Sequence, residues 1–361
     1  MLTSRDSEAQ ARADAVFALA EQVRRASEQR RPLRIVGGGT KGFYGRPVDG
    51  EPLSLGGHSG IVHHDPSELV VVARAGTPVA EIEAALADHG QMLGFEPPLF
   101  GPGATIGGVV AAGLAGPRRP FVGAVRDLLL GATVLNGHGE VLRFGGQVFK
   151  NVAGFDGFRL MAGAQGCLGV ILEVSLRVTP KPRRERALSL EVASEPARAW
   201  VSERLRRQSP LSAAFYDGER LHLRLSGGEA AVEAASADWG GEAEDLAFWD
   251  EVRHCRHPMF RTEGPLWRVS VPQTAPELDA GDLLAWDWGG AQRWYCGDRG
   301  PDQVRAAASA AGGHATLFRG SCADGLVFQP LSAPILALHQ RLKAAFDPAG
   351  VFNPGRMYPE L

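Results

Sequence analysis

The segment Val36-Gly37-Gly38-Gly39-Thr40-Lys41-Gly42 begins at the end of a mainly apolar stretch. That stretch, residues 33–36, predicts a β-strand that runs into the glycines. The glycines of the segment match the pattern G-x-G-x-x-G. A Rossmann dinucleotide site also needs a helix that begins at this loop and directs its positive end at a pyrophosphate. Pro47 and further glycines follow the loop, so no helix of useful length begins there. We therefore exclude a Rossmann site and predict an N–H-rich loop that can hold phosphate, with Thr40 and Lys41 as further donors.

Two more glycine-rich loops lie downstream, each at the edge of an apolar run. They are residues 101–108 (GPGATIGG) and residues 163–171 (GAQGCLGVI). Glycines at such places let backbone N–H groups approach a bulky anion without a Cβ in the way. Thr105 is predicted to cap an apolar helix of small residues, a pattern that is also typical of a close helix-packing seam. The three loops together predict a long ligand held between substructures, such as a dinucleotide.

The rest of the chain predicts alternating strands and helices. Thr77 is predicted as the N-cap of a helix that has Pro78 at its first position and ends near Gly90. A strand over residues 170–178 stops at Pro180-Lys181-Pro182, where we place a boundary between domains of residues 1–181 and 182–361. The other predicted helices cover residues 14–28, 197–208, 229–237 and 336–346, and the other predicted strands cover residues 68–73, 188–192, 221–225 and a hairpin within 128–144.

The composition is that of a soluble protein, with 44% hydrophobic and 22% charged residues and a net charge of −3. No Lys/Arg tract indicates a nucleic-acid interface, and no apolar run is long enough for a transmembrane helix. The N-terminus lacks a signal-peptide pattern, which predicts a cytoplasmic location. The four cysteines contain no C-x-x-C pair, so the sequence predicts neither an iron–sulfur cluster nor a metal site in this chain.

Several of these segments together resemble a known family. GGGTKG, HDPSELVVVARAGTPVAEIEAALADHG, PGATIGGVVAAG, KNVAGFDGFRLMAGAQGCLGVILEVSLRV and the closing FDPAGVFNPGR are similar to motifs of the vanillyl-alcohol-oxidase, or PCMH-type, flavoprotein superfamily. Within it, GPRRPFVGAVRDLLLGATVLNGHGEVLRFGG and GGHATLFRG resemble the E subunits of bacterial glycolate oxidases. The superfamily motifs cover roughly residues 30–180, and the subunit-like segments extend to the C-terminus.

The resemblance implies an α+β fold. A PCMH-type FAD-binding domain of two α/β subdomains would be followed by a smaller α+β cap domain, and the C-terminal tail would return to the FAD domain. FAD would lie between the subdomains, and residues 151–156 would also shape its cleft. The residues that the resemblance assigns to FAD are Gly37, Gly38, Gly39, Thr40, Lys41, Gly42, Pro102, Gly103, Thr105, Ile106, Gly107, Gly108, Gly113, Gly166, Gly169, Val170 and Ile171.

The way in which FAD is held is also predicted. Some superfamily members attach FAD covalently through a histidine in the first loop. That loop here has Thr40 and Lys41 instead, and His58 follows much later in the chain. We therefore expect non-covalent FAD.

Catalytic residues are not assigned by the sequence. Members of the superfamily that oxidise 2-hydroxy acids themselves usually carry a histidine-rich cap segment of the type H-G-D-G-N-x-H, which this chain lacks. His63-His64 is expected to face solvent at a strand edge, and His254/His257 is expected to have a structural role. His314 and Arg319 are better candidates to face the flavin, but packing is the default role for them.

The resemblance implies an FAD-binding subunit of a glycolate (2-hydroxy acid) oxidase complex. Its partners would be a catalytic flavoprotein (D-type) subunit and an iron–sulfur (F-type) subunit, and the complex could associate with the inner face of the membrane. Two alternatives stay open. The chain could be a self-sufficient FAD-dependent oxidoreductase of a small hydroxy acid or alcohol, or a non-catalytic assembly subunit that keeps the flavoprotein fold.

Overall fold

The computed structural model describes residues 4–146, 156–207, 209–322 and 324–361, and the chain has an α+β fold. The helices are α1 (Ser4–Gln29), α2 (Val79–Ala87), α3 (Ile106–Ala112), α4 (Arg119–Val122), α5 (Val125–Leu128), α6 (Ser194–Leu205), α7 (Glu229–Trp239), α8 (Ala247–Arg253), α9 (Pro301–Ala310) and α10 (Ala333–Phe346). Short 3₁₀ helices cover Gly157–Met161, Pro258–Phe260 and Trp288–Gly290.

The strands of the described residues fall into four sheets. They are β1 (Leu33–Val36), β2 (Glu51–Ser54), β3 (Ile61–Asp65), β4 (Val70–Arg74), β5 (Gln91–Met92), β6 (Leu129–Leu135), β7 (Val141–Gly145), β8 (Val170–Arg177), β9 (Thr179–Pro180), β10 (Arg184–Glu191), β11 (Leu211–Tyr216), β12 (Arg220–Gly227), β13 (Glu242–Glu244), β14 (Leu266–Ser270), β15 (Asp282–Asp287), β16 (Gln292–Cys296) and β17 (His314–Arg319). The smallest of the four sheets pairs only β5 with β9.

A five-stranded antiparallel sheet forms the centre of the N-terminal half, in the order β3-β4-β8-β6-β7. Every residue of β4 is buried, as expected for the run Val-Val-Val-Ala in a strand with neighbours on both sides. Ile82 of α2 and Val110 of α3 are fully buried in the same core as Val174 of β8. This core fixes the positions of the second and third glycine loops, which adjoin α3 and β8.

A second, two-stranded parallel sheet carries the first glycine loop. In this sheet β1 pairs with β2, and α1 packs on it through Leu19 and Val23. The C-terminal tail extends the sheet, because Leu33 N donates to Val351 O at 2.7 Å and Asn353 N donates to Leu33 O at 3.0 Å. The tail is therefore in hydrogen-bond contact with the strand that leads into the first glycine loop.

The C-terminal half is built on an eight-stranded antiparallel sheet in the order β13-β10-β12-β11-β15-β16-β14-β17. Helices α6 and α7 pack on it through Val201 and Val232, and α9 packs through Val304. Another apolar cluster joins this sheet to the N-terminal half, since Tyr44 and Leu114 pack with residues such as Phe318.

Most of the predicted elements are confirmed. The helices predicted over residues 14–28, 197–208, 229–237 and 336–346 correspond to α1, α6, α7 and α10, and the hairpin is β6–β7. The domain boundary at residue 181 stays a prediction. Thr105 caps α3 as predicted, because its Oγ1 accepts from Gly108 N at 3.4 Å.

The prediction that Thr77 is the N-cap of α2 is wrong. Pro78 occupies that position and forms no side-chain cap. The Thr77 hydroxyl instead donates to Arg74 O at 2.7 Å and accepts from Gly60 N at 2.9 Å. A buried hydroxyl is satisfied by either arrangement, and here the turns before α2 provide closer partners than the helix does.

Candidate FAD site

The first and second glycine loops meet through their backbones. A Cβ on Gly38 would lie 1.5 Å from the carbonyl oxygen of Gly103, and a Cβ on Gly37 would lie 2.3 Å from Thr105 Oγ1. Neither contact is physically allowed, so only glycine permits this approach. No helix follows Gly42, where the chain continues through turns until β2. This agrees with the exclusion of a Rossmann site.

The third loop is attached to the other end of α3. Gly113 ends that helix in the left-handed conformation, with φ of 67°, and Gly163 packs against it. Gly163 N donates to Val110 O at 3.0 Å, and Gln165 N donates to Ala111 O at 2.9 Å. Helix α3 therefore lies between the second and third loops and holds them at a fixed separation.

The three loops enclose two adjoining cavities, which we call the loop cleft. The cavities have volumes of about 170 Å³ and 70 Å³. They are contiguous because both are lined by Ile35, Gly37, Thr105, Gly108, Ala111, Gln165 and Asn353. The loop cleft thus extends along β1, α3 and the third loop.

The loop cleft contains most of the residues predicted to bind FAD. Those that line it are Gly37, Gly38, Gly39, Thr40, Lys41, Gly42, Thr105, Gly107, Gly108, Gly166, Gly169 and Ile171. Pro102 lines a neighbouring cavity instead. Four of the predicted residues line neither the loop cleft nor that cavity: Gly103, Ile106, Gly113 and Val170. The side chains of Ile106 and Val170 are fully buried in the core. Gly103 contacts the first loop, and Gly113 ends α3. Residues 151–155 lie outside the described part of the chain, and Asp156 is ion-paired with Arg159.

The neighbouring cavity, which we call the arginine cavity, lies between the first two loops and the C-terminal sheet. Its volume is about 670 Å³. Thr40 lines both this cavity and the loop cleft, so the two are adjacent. Its remaining lining residues are Phe43, Leu99, Phe100, Gly101, Pro102, His254, Cys255, Arg256 and Arg319.

The loop cleft also has lining residues that the sequence did not assign to FAD, among them Gln165, Asn353 and Arg356. Asn353 joins β1 to the third loop, because its Oδ1 accepts from Ile35 N at 2.8 Å and its Nδ2 donates to Gln165 O at 2.6 Å. Arg356 donates to the carbonyl oxygens of Lys41 and Tyr44 at 3.1 and 2.8 Å. The tail motif FNPGR was a signal for these contacts, but its place beside the first loop depends on long-range packing.

Lys41 is the cation of the first loop. Its Nζ donates to Leu99 O at 3.3 Å and to Thr40 Oγ1 at 3.4 Å, and no carboxylate of the described residues pairs with it. Burial lowers the pKa of Lys41 to about 8, because the ammonium is partly removed from water without a compensating charge. A bound anion such as a pyrophosphate would provide that charge.

The histidines highlighted by the sequence are dispersed. His63 is exposed, and His64 hydrogen-bonds to Gln91 at 2.9 Å. His58 is buried outside the loop cleft, and burial lowers its pKa. His314 and Arg319 occupy opposite ends of β17, and of the two only Arg319 lines the arginine cavity.

The residues of the loop cleft fit FAD. Glycines bring backbone N–H groups to the surface of the first loop, Lys41 and Thr40 add donors, and the apolar side chains of Ile35 and Ile171 provide surface for a nucleoside. FAD supplies an isoalloxazine ring that accepts two electrons from a substrate. The protein contributes the binding and orientation of that group.

Comparison with known proteins agrees with this geometry. Residues 9–145 match the family described as "FAD binding domain". Over 93% of its length the chain has the fold of an alkyldihydroxyacetonephosphate synthase structure, with a TM-score of 0.63, 14% identity and 75% of that structure covered. The chain is therefore an FAD-binding flavoprotein of the oxidoreductase class.

The particular family follows from a full-length relative. The chain is 49% identical over 344 residues to "Glycolate oxidase subunit GlcE" of Escherichia coli (strain K12), which covers 95% of this chain and 97% of the relative. It belongs to the family of that subunit. It is also 31% identical over 164 residues to "Glycolate oxidase subunit GlcD" of Bacillus subtilis (strain 168), covering 45% of this chain and 35% of the relative.

None of the helices in the described ranges combines the length and the hydropathy of a membrane-spanning segment.

Proposed function

We propose that this chain is the FAD-carrying subunit of a complex that oxidises glycolate to glyoxylate. The observation that carries the proposal is the similarity to a glycolate oxidase subunit over nearly the whole of both chains. The loop cleft supports it, because its glycines, Lys41 and Thr40 suit a dinucleotide. FAD would be bound non-covalently in this cleft by the residues that line it.

The complex would contain two partners, a catalytic D-type flavoprotein subunit and an iron–sulfur F-type subunit. Electrons that reach the FAD of this chain would leave through these partners, since the sequence has no C-x-x-C pair to ligate a cluster. The expected location is the cytoplasm, with the complex at the inner face of the membrane.

The proposal is tested by assembling the complex with a variant that cannot hold FAD. Gly38→Ala forces the first two loops apart, whereas Gly57→Ala is the control, because Gly57 is exposed outside the loop cleft and a Cβ there would meet no heavy atom within 4 Å. Glycolate-dependent reduction of an artificial acceptor is measured for each complex, after co-purification has shown that the subunits assemble. We expect activity with Gly57→Ala and its loss with Gly38→Ala.

Two results would favour the alternatives. Full activity of an assembled, FAD-free Gly38→Ala complex would indicate a non-catalytic assembly subunit. Bleaching of the flavin by glycolate in the isolated chain would indicate a self-sufficient oxidoreductase. We expect no such bleaching without the partner subunits.

A further inference from the structure

Arg319 lies at the wall of the arginine cavity. Among the residues that the structure describes, its guanidinium donates only to backbone carbonyls, to Phe260 O at 3.2 Å and to Cys255 O at 3.5 Å. No carboxylate in the described part of the chain forms an ion pair with it, and none lines the cavity. A guanidinium has five N–H donors. Donors therefore remain for a ligand.

His254 lines the same cavity and presents a second donor. Its Nδ1 accepts a hydrogen bond from Leu99 N at 3.2 Å, so in the neutral ring the proton lies on Nε2. Burial lowers the pKa of His254 to about 4, which keeps the ring neutral near pH 7. Among the described residues, no protein acceptor is hydrogen-bonded to that Nε2–H.

The other walls restrict what the cavity can take. Phe43 and Phe100 meet edge to face with ring centroids 4.9 Å apart, and Arg319 lies 5.7 Å from the centroid of Phe43. Arg256 also lines the cavity, but it is exposed and paired with Glu251 at 2.9 Å. The cavity thus combines an apolar wall, one unpaired cation and one neutral donor.

We propose that the arginine cavity of this chain binds a small 2-hydroxy carboxylate, with Arg319 holding the carboxylate and His254 donating to the hydroxyl. A carboxylate matches the fork of a guanidinium and supplies the missing counter-ion. The cavity borders Thr40 and Pro102, so the ligand would lie beside the loop cleft. The inference rests on the proposed function for its choice of hydroxy acid.

The test measures binding rather than turnover. The probe is 2-hydroxyisobutyrate, which has the hydroxyl and the carboxylate but no α-hydrogen to be oxidised, and the FAD-loaded chain is titrated by calorimetry. The neutral amide of the same acid is the ligand control. We expect Arg319→Met to weaken binding of the acid roughly ten- to a hundredfold, because a charge-assisted hydrogen bond is lost. Arg319→Lys, which keeps the positive charge, should retain part of the affinity that Arg319→Met loses.

Three matched measurements separate the specific role from a general effect of charge or folding. Arg256→Gln removes a paired cation from the same cavity and should change the affinity less than about fivefold. His254→Asn keeps an acceptor for Leu99 N but removes the Nε2–H donor. It should therefore weaken binding of 2-hydroxyisobutyrate more than binding of isobutyrate, which lacks the hydroxyl. Thermal unfolding and FAD content confirm that each variant is folded.

Equal binding of the acid to wild-type and to a folded, FAD-loaded Arg319→Met variant would overturn the inference, as would equal binding of acid and amide. That result would leave the proposed function intact if the assembled complex still oxidised glycolate. Conversely, a complex inactive towards glycolate, whose chain nevertheless bound the acid through Arg319, would contradict the proposed function alone.

Discussion

The contact between Gly38 and Gly103 makes a single methyl group a sharp probe of the cleft. Gly38→Ala would place a Cβ against a backbone carbonyl, which cannot rotate away. The first two loops must then separate, at a cost of about 1–3 kcal/mol in the free energy of unfolding. We expect the purified variant to lose most of its FAD, measured as flavin absorbance per protein.

Gly57→Ala is the control, because Gly57 lies outside the loop cleft and a Cβ there would meet no heavy atom within 4 Å. It should keep its FAD. Equal FAD content in the two variants would show that the approach of the two loops does not determine flavin binding.

If the loop cleft binds FAD as proposed, Lys41 should make that binding depend on pH. In the free protein its pKa is about 8, and an anionic pyrophosphate nearby would raise it. Binding of FAD therefore takes up a proton above pH 8, and the Kd for FAD should rise by up to about tenfold per pH unit there. The stability of the FAD-free protein depends on pH in the opposite direction. Its free energy of unfolding increases as the pH rises through about 8, because the buried ammonium of Lys41 is neutralised.

Fluorescence titration of FAD between pH 6.5 and 9.5 measures this effect, at roughly constant ionic strength. The Lys41→Met variant should bind FAD more weakly at neutral pH, and its Kd for FAD should no longer rise at alkaline pH. An unchanged pH profile in that variant would assign the titration to another group.

At the scale of elements, α10 and the tail connect the first and third loops. Lys343 of α10 is buried, and its Nζ donates to Cys167 O at 2.7 Å, to Phe352 O at 2.7 Å and to Asp347 Oδ2 at 2.8 Å. Asp347 in turn accepts from the backbone N–H groups of Val351 and Phe352. One ammonium thus links the third loop, the helix and the tail.

Lys343→Met leaves the buried carboxylate of Asp347 without its cation. We expect the free energy of unfolding to fall by about 3–5 kcal/mol, measured by urea denaturation, together with weaker FAD binding. Arg341→Met, at an exposed position of the same helix, is the control and should change the free energy of unfolding by less than about 0.5 kcal/mol. A loss similar to that of Arg341→Met would mean that the buried network contributes little to stability.

Local patterns predicted elements better than they predicted contacts. The strand before the first loop, the hairpin and α10 follow from apolar periodicity and turn residues, which act over a few neighbours. Local patterns did not predict the contacts of Thr77, because its hydroxyl bonds to Gly60 and Arg74 rather than capping α2. They also could not predict the role of Asn353 in the loop cleft, since its two partners lie 318 and 188 residues away in sequence.

At the scale of the whole molecule, a buried ionic cluster joins the two halves. Glu96 from the N-terminal half pairs with Arg118 at 3.1 Å and with Arg224 of β12 at 2.9 Å, and Arg118 also pairs with Glu185 of β10 at 2.7 Å. Burial opposes ionisation of Glu96, but the guanidiniums of Arg224 and Arg118 outweigh it and hold the pKa of Glu96 below its ordinary value.

Glu96→Gln should lower the free energy of unfolding by about 3–5 kcal/mol, because two buried guanidiniums lose their shared carboxylate. The depressed pKa means that this stability is present above the ordinary value of 4.5 and is lost as the pH falls through the lower folded-state value. Urea unfolding at neutral and acidic pH measures both effects. Glu203→Gln, in an exposed pair with Arg207, is the control and should cost less than about 1 kcal/mol.

Equal stability losses in Glu96→Gln and Glu203→Gln would contradict the role of this cluster. Sequence reasoning did not find it, since Glu96, Arg118 and Arg224 belong to no shared motif. The glycine pattern itself identified the three loops, and the resemblance implied the α+β architecture, because both depend on contiguous motifs. The packing between the halves depends instead on residues far apart in the chain.

We propose above all that the loop cleft holds FAD without a covalent bond. The most direct measurement is the visible spectrum of the purified chain, saturated with FAD and freed of excess, followed by acid precipitation. We predict flavin bands of stoichiometric intensity and their complete release into the supernatant. A colourless protein would contradict the assignment of the cofactor, and flavin retained in the pellet would contradict its non-covalent binding.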